Sequence, residues 1–204
     1  MFSIYNLPSN ENNPIKVKRK IVRNMKRIPE RVKREAQRKF NRSKQEMITE
    51  FESHSITQEL EGGAGGGNIS GTLGGVGNLF SFIGFQEGTN PMAVLREMLN
   101  SYRINIMSPK IIKRNVGVDF QFRVTGPTIE EIEAATYLSW LGKSWVRGIE
   151  RGMSGLGNYL ALMGAIGSRS GGGLQAKTSY RGGAYRPTKY VSSLLRTFFL
   201  NFRR

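Results

Sequence analysis

The chain has 204 residues, a formal charge of +16, 38% hydrophobic residues, 25 glycines, one histidine and no cysteine. The missing thiols exclude disulfides, thiolate-bound zinc and a cysteine nucleophile, and fit a reducing compartment. No apolar run approaches the ~18 residues of a membrane span, and the hydrophobic content predicts one domain with a modest core and glycine-rich stretches outside it.

Pro8, Asn10, Glu11 and Asn12 stand where a signal peptide would carry an apolar stretch, so none is expected, and residues 1–14 read as an extended arm. The next segment holds most of the charge. Residues 16–44 contain fourteen cations (Lys16, Lys18, Arg19, Lys20, Arg23, Lys26, Arg27, Arg31, Lys33, Arg34, Arg38, Lys39, Arg42 and Lys44) against Glu30 and Glu35. This stretch contributes +12 of the +16, and such a field attracts nucleic acid, an anionic surface or an acidic protein. Ile21, Met25, Ile28, Val32, Ala36, Phe40, Met47 and Phe51 keep one apolar stripe. The spacing predicts a long helix over 15–53, or two helices meeting near Pro29, whose missing amide forces a kink or restart. Like charges at i,i+4 spacing destabilise such a helix in isolation, and an anionic partner relieves them.

Residues 62–88 hold eleven glycines. Gly62, Gly63, Gly65, Gly66 and Gly67 predict a flexible or extended start. Ile69, Leu73, Leu79, Phe80, Phe82 and Phe85 then make the segment too apolar for a plain linker. It reads as an assembly loop that docks apolar side chains in the chain's own core or, on the sharper reading, in a neighbouring subunit.

Residues 91–100 fit a short helix with Val94, Leu95, Met98 and Leu99 on one side. Ile104 and Ile106 alternate within a strand over 103–108. Val116, Val118, Phe120, Phe122 and Val124 mark a half-buried antiparallel strand. Thr128 and Glu131 form a capping-box pattern that opens a helix from 129 to about 141, and 143–150 can continue it beyond Gly142. Residues 152–183 are glycine-rich again, with a basic loop at 167–183. Thr188 is the expected cap of a closing helix whose face is Val191, Leu194, Leu195, Phe198, Phe199 and Phe202. The expected class is α+β: a long N-terminal helix, a small antiparallel sheet with a packed helix, a C-terminal amphipathic helix and glycine-rich loops. The organisation predicted is an arm at 1–14, a basic helical segment at 15–61, the loop at 62–90 and an α+β core at 91–204 forming one domain with 15–61.

The chemistry-bearing residues do not converge. Asp119 is the lone Asp, and Glu46, Glu50, Glu52, Glu59 and Glu61 read as an acidic patch. No carboxylate set suits a two-metal site. His54 has no recognisable nucleophile partner and reads as a surface or helix-end residue. Gly142-Lys143-Ser144 mimics the end of a P-loop, but Tyr137 occupies the position of the required first glycine. No G-x-G-x-x-G pattern is present. A non-enzyme without cofactor or metal is therefore expected. The expected contacts with a polyanion or acidic partner are Lys16, Lys18, Arg19, Lys20, Arg23, Lys26, Arg27, Arg31, Arg34 and Arg38, with Arg169, Lys177 and Arg181 as a second patch. Phe40, the one aromatic of the basic segment, sits on the apolar stripe, so contact with nucleic acid would be to phosphate rather than by base stacking.

Three short features carry a resemblance: Glu50-Phe51-Glu52-Ser53-His54 at the end of the basic helix, Ile56-Thr57-Gln58-Glu59-Leu60 before the glycine break, and Gly182-Gly183-Ala184-Tyr185-Arg186-Pro187 leading into the last helix. In these and in the order of elements the chain resembles the neck and tail-completion (head–tail joining) proteins of tailed bacteriophages. The resemblance implies a virion structural protein, assembled as a homo-oligomeric ring of six-fold symmetry between connector and tail proteins, with DNA in its lumen and no membrane. The glycine-rich 62–88 and the segment 142–170 depart from that compact pattern. A non-catalytic nucleic-acid-binding protein of ribosome-associated or DNA-packaging type is the alternative. A membrane-surface role for the C-terminal phenylalanines is better replaced by a role in the core.

Overall fold

The computed structural model describes residues 28–73, 78–106, 110–112, 117–139, 142–152, 159–160, 174–175 and 186–203. The expectations for 1–27, including the arm, and for most of 152–183 lie outside the described residues.

The fold is α+β. Helix α1 spans Ile28–Ser53. Pro29 falls in its first turn, where a missing amide costs no intrahelical bond, so the proline marks a helix start. After α1 come α2 (Ser55–Glu61), a 3₁₀ turn at Gly63–Gly65, α3 (Leu79–Ile83) and α4 (Met92–Asn100). Strands β1 (Arg103–Ile106), β2 (Lys110–Ile112), β3 (Gly117–Asp119) and β4 (Phe122–Thr125) follow. Then come α5 (Ile129–Ala135), β5 (Tyr137–Leu138), β6 (Lys143–Ser144), α6 (Trp145–Arg151), β7 (Tyr159–Leu160), β8 (Leu174–Gln175) and α7 (Val191–Arg203).

The strands pair as four antiparallel two-stranded ribbons among the described residues. Arg103 faces Thr125 and Ile106 faces Phe122 in one ribbon; Lys110 faces Asp119 and Ile112 faces Gly117 in the next. Two residues, 120 and 121, separate β3 from β4, whereas three separate β1 from β2. The one-residue difference shifts the register and divides the strand expected over 116–124 into β3 and β4. The alternation itself holds from Phe120 onward: Phe120, Phe122 and Val124 are half-buried while Gln121, Arg123 and Thr125 are exposed.

The chain divides into two compact units. The first comprises Met1–Arg42 and Arg103–Thr125; the second comprises Ser43–Tyr102 and Gly126–Arg204. The boundary cuts α1 between Arg42 and Ser43, so no composition shift at a linker announces it.

The second unit holds the densest core. Phe51, Ile56, Leu60, Leu79, Phe80, Ile83, Met92, Leu95, Leu99, Tyr190 and Phe198 are all essentially inaccessible. Val94, expected on the inner face of α4, is 42% exposed; Met92 takes its place in the core. The closing helix buries Val191, Leu194, Leu195 and Phe198, with Phe199 and Phe202 half-buried.

Helix α5 ends earlier than the sequence predicts. The capping box of Thr128 and Glu131 opens α5 as expected, but the helix stops at Ala135 rather than near 141. The Thr136 hydroxyl donates to the Ile132 carbonyl at 2.7 Å and lies 2.7 Å from Ser144 Oγ. The chain then turns into the β5–β6 hairpin, with Gly142 at φ +66°, a conformation that favours glycine. Ser144 caps α6 by accepting from the Arg147 amide. The P-loop mimic is therefore a hairpin turn and a helix cap.

Candidate polyanion interface

Helix α1 is amphipathic by construction. Its buried positions Phe40, Met47 and Phe51, with half-buried Val32 and Ala36, occupy one side. Arg31, Arg34, Arg38 and Arg42 step by three, four and four along the far side, and all four are exposed. At 1.5 Å per residue that row is roughly 16 Å long. Neighbours in it are about 5–6 Å apart at Cβ. Glu30 pairs with Lys33 at 3.2 Å, and the Arg34 Nε donates to the Glu30 carbonyl at 3.3 Å, leaving the outer part of that guanidinium. Gln37 and Asn41, the amides beside the row, bond each other at 2.9 Å. Lys39 and Arg42 each have an interaction partner of their own.

Of the expected contact residues, Arg31, Arg34 and Arg38 fall on this row. Lys16, Lys18, Arg19, Lys20, Arg23, Lys26, Arg27, Arg169, Lys177 and Arg181 lie outside the described residues. Lys44 is engaged within the fold. Its Nζ donates to the carbonyls of Asn100 and Tyr102 at 2.5 and 3.2 Å, closing the C-terminal end of α4. The first unit adds two cations that sequence patterning did not point to. Arg103 and Arg123 both occupy exposed positions of the β1–β4 ribbon. The only signal for Arg123 was its place on the polar side of the alternation.

The expected assembly loop is corrected in part. Leu79, Phe80 and Phe85 are buried in the chain's own core, at no more than 2% exposure. Phe82 and Leu73 are half-buried, and Ile69 alone of the six is well exposed, at 55%. Two side chains hold this glycine-rich stretch. Buried Glu59 accepts from the Ser70 amide at 2.7 Å and the Leu79 amide at 2.6 Å. Asn78 donates to the carbonyls of Gly63, Ala64 and Gly66 and accepts from the Ser81 amide, capping α3.

Acids of the expected patch take partners within the chain. Glu52 receives a bidentate pair from Arg96, at 2.7 Å for each bond, and Glu61 takes another bond from the same guanidinium. The Arg96 hydrogen bond holds the Glu52 carboxyl below the usual carboxylate range. Bonds to Glu52 and then Glu61 push Arg96 above its ordinary value. Arg96 also lies 5.8 Å from the centre of the Phe51 ring. Glu46 accepts from Asn201 at 3.1 Å.

His54 is a helix-end residue. Its Nδ1 accepts from the Ile56 amide at 3.2 Å as the cap of α2, and its ring centre lies 4.7 Å from that of Tyr190. Burial lowers its pKa, with Glu50 opposing the shift. The Tyr190 hydroxyl, 2.5 Å from Thr57 Oγ1, is pushed up by burial. A cleft of about 410 Å³ beside Glu61, Phe80 and Glu87 presents carboxylates and glycine backbone. Among the described residues no group of three or more metal-binding side chains occurs, and no helix is long and apolar enough to cross a membrane.

Comparison with known proteins finds no matching family, no matching curated protein and no matching solved structure.

Proposed function

We propose that this chain is a non-catalytic structural protein of a larger assembly, a ring component at the head–tail neck or tail terminus of a tailed bacteriophage. The basic first unit is its contact surface. The observation that carries the reading is the exposed arginine row of α1, set on the side away from the buried stripe. An arginine fork is always charged and matches planar anionic oxygens, so a row of forks fits a polyanion better than it fits solvent. The resemblance in order of elements supplies the neck as the setting, with connector and tail proteins as neighbours.

The experiment is assembly after nuclease treatment. The purified full chain, alone or with its neighbouring virion proteins, is expected to sediment as a closed oligomer of defined mass. A lone monomer that recruits no virion protein ends the ring reading. The competing reading, a free nucleic-acid-binding protein, predicts that outcome together with retained binding to nucleic acid.

A further inference from the structure

We infer that the α1 arginine row docks on the phosphate backbone of B-form duplex DNA and does so without reading sequence. The inference rests on the basic unit being a contact surface, but not on the ring.

Three features of the face select this partner. First, Arg31, Arg34 and Arg38 repeat along one exposed side of a continuous helix. The row meets a target that is itself regularly charged, one phosphate per ~3.4 Å of axis on each strand. An acidic protein surface has no such repeat. Second, the face carries no stacking group. Phe40, the aromatic nearest the row in sequence, is 3% exposed and belongs to the buried stripe. Single strands are held largely by stacked bases, so a duplex with its bases hidden suits this face better. Third, the two amide side chains beside the row each give one hydrogen-bonding group to the other. Gln37 and Asn41, the residue types that pair with adenine edges, are bonded to each other. A helix of ~10–12 Å diameter suits the ~12 Å major groove of B-DNA but not the deep, narrow groove of duplex RNA. Arg103 and Arg123 on the β1–β4 ribbon add cations within the same unit.

The test is the salt dependence of binding by the full chain to mixed-sequence 30-base-pair DNA. Removing one phosphate contact takes about 0.9 off the slope of log K against log salt. The R31Q/R34Q/R38Q variant is expected to show a slope shallower by about 2.7. Between 50 and 200 mM salt the native chain should thus lose about 40-fold more affinity than the variant, on the same relation. K189Q/R196Q/R203Q removes equal charge from exposed positions of the other unit and is expected to keep the native slope. Circular dichroism checks that α1 survives in both. Equal slopes for the two variants overturn the inference. So does tighter binding to single-stranded DNA, to duplex RNA or to polyglutamate than to duplex DNA, or a tenfold preference among DNA sequences. If the protein fails to form a ring yet passes these measurements, the neck reading falls and the DNA contact stands.

Discussion

The first unit carries eighteen Lys and Arg against four acids, and the second carries thirteen against eleven. Nearly all the excess charge, +14 of +16, thus sits in the smaller unit. The buried side chains are distributed the other way. Among the described residues, every buried apolar side chain except Phe40 belongs to the second unit. Helix α1 contributes to both, with its exposed arginines at 31–42 and its core residues Met47 and Phe51 beyond. The difference separates two roles by physical chemistry. A core stabilises itself by removing apolar area from water, whereas a row of like charges gains only when an anion arrives. The second unit should therefore respond to core and hydrogen-bond mutations, and the first to salt and ligand.

The largest expected effect is at Phe51, fully buried against Tyr190 and beneath Arg96. Phe51→Ala should cost about 3–5 kcal/mol in urea unfolding. A cost under about 1 kcal/mol would show that the second unit is not held by this core. Glu59→Ala comes next. It strands the amides of Ser70 and Leu79, each of those charged hydrogen bonds being worth about 1.5–3 kcal/mol. Limited proteolysis should then cut within 62–78, and native resistance there would remove the clamp from the account.

Glu150→Ala should cost about 1–2 kcal/mol, since this carboxylate accepts from the Tyr190 and Ser192 amides at the start of α7. Thr188→Ala should be nearly silent by the same denaturation measurement. Acid sharpens the comparison further. The His54 pKa is depressed below 6.5, so the unfolded chain takes up its proton first as the pH falls. Its contribution is complete above pH 6.5 and declines as the pH drops from there toward the folded value. Glu52 behaves likewise below pH 4.5, its contribution being lost as the pH falls through its depressed folded value. His54→Asn keeps a side-chain cap and should abolish the first of these declines in thermal melts run from about pH 7.5 to 5. The smallest effect is expected for R31Q/R34Q/R38Q without ligand, within about 0.5 kcal/mol of native or slightly more stable. A large loss would mean that the row has a structural role within its own unit.

Much of this contrast was legible locally. The stripe from Val32 to Phe51, the alternation of 120–125, the capping box at Thr128 and the face of α7 each depend on residues within a few turns of one another. Periodicity and capping chemistry express such short-range rules directly. The candidate site was legible to the same extent: Arg31, Arg34 and Arg38 follow from helical spacing alone. Arg123 falls between Phe122 and Val124, on the exposed side of its strand, but nothing local links residue 123 to residue 38.

What sequence could not supply were contacts between distant segments. Glu150 serves the start of α7 across forty residues in place of nearby Thr188. Glu59 holds an amide twenty residues on, and Leu79, Phe80 and Phe85 enter the chain's own core. The Tyr102 ring lies so close over Gly126 that a Cβ there would come within 2.2 Å of it, and its hydroxyl reaches the Pro127 carbonyl at 2.6 Å. The sequence by itself therefore determined the class of elements, the amphipathic stripes and the charge asymmetry, because each is set by local backbone preference and composition. Tertiary structure alone decided the unit boundary inside α1, the partners of the buried carboxylates and the fate of the glycine-rich loop. A buried polar group must find its hydrogen bond wherever the folded chain brings one, and one-dimensional spacing carries no record of that meeting.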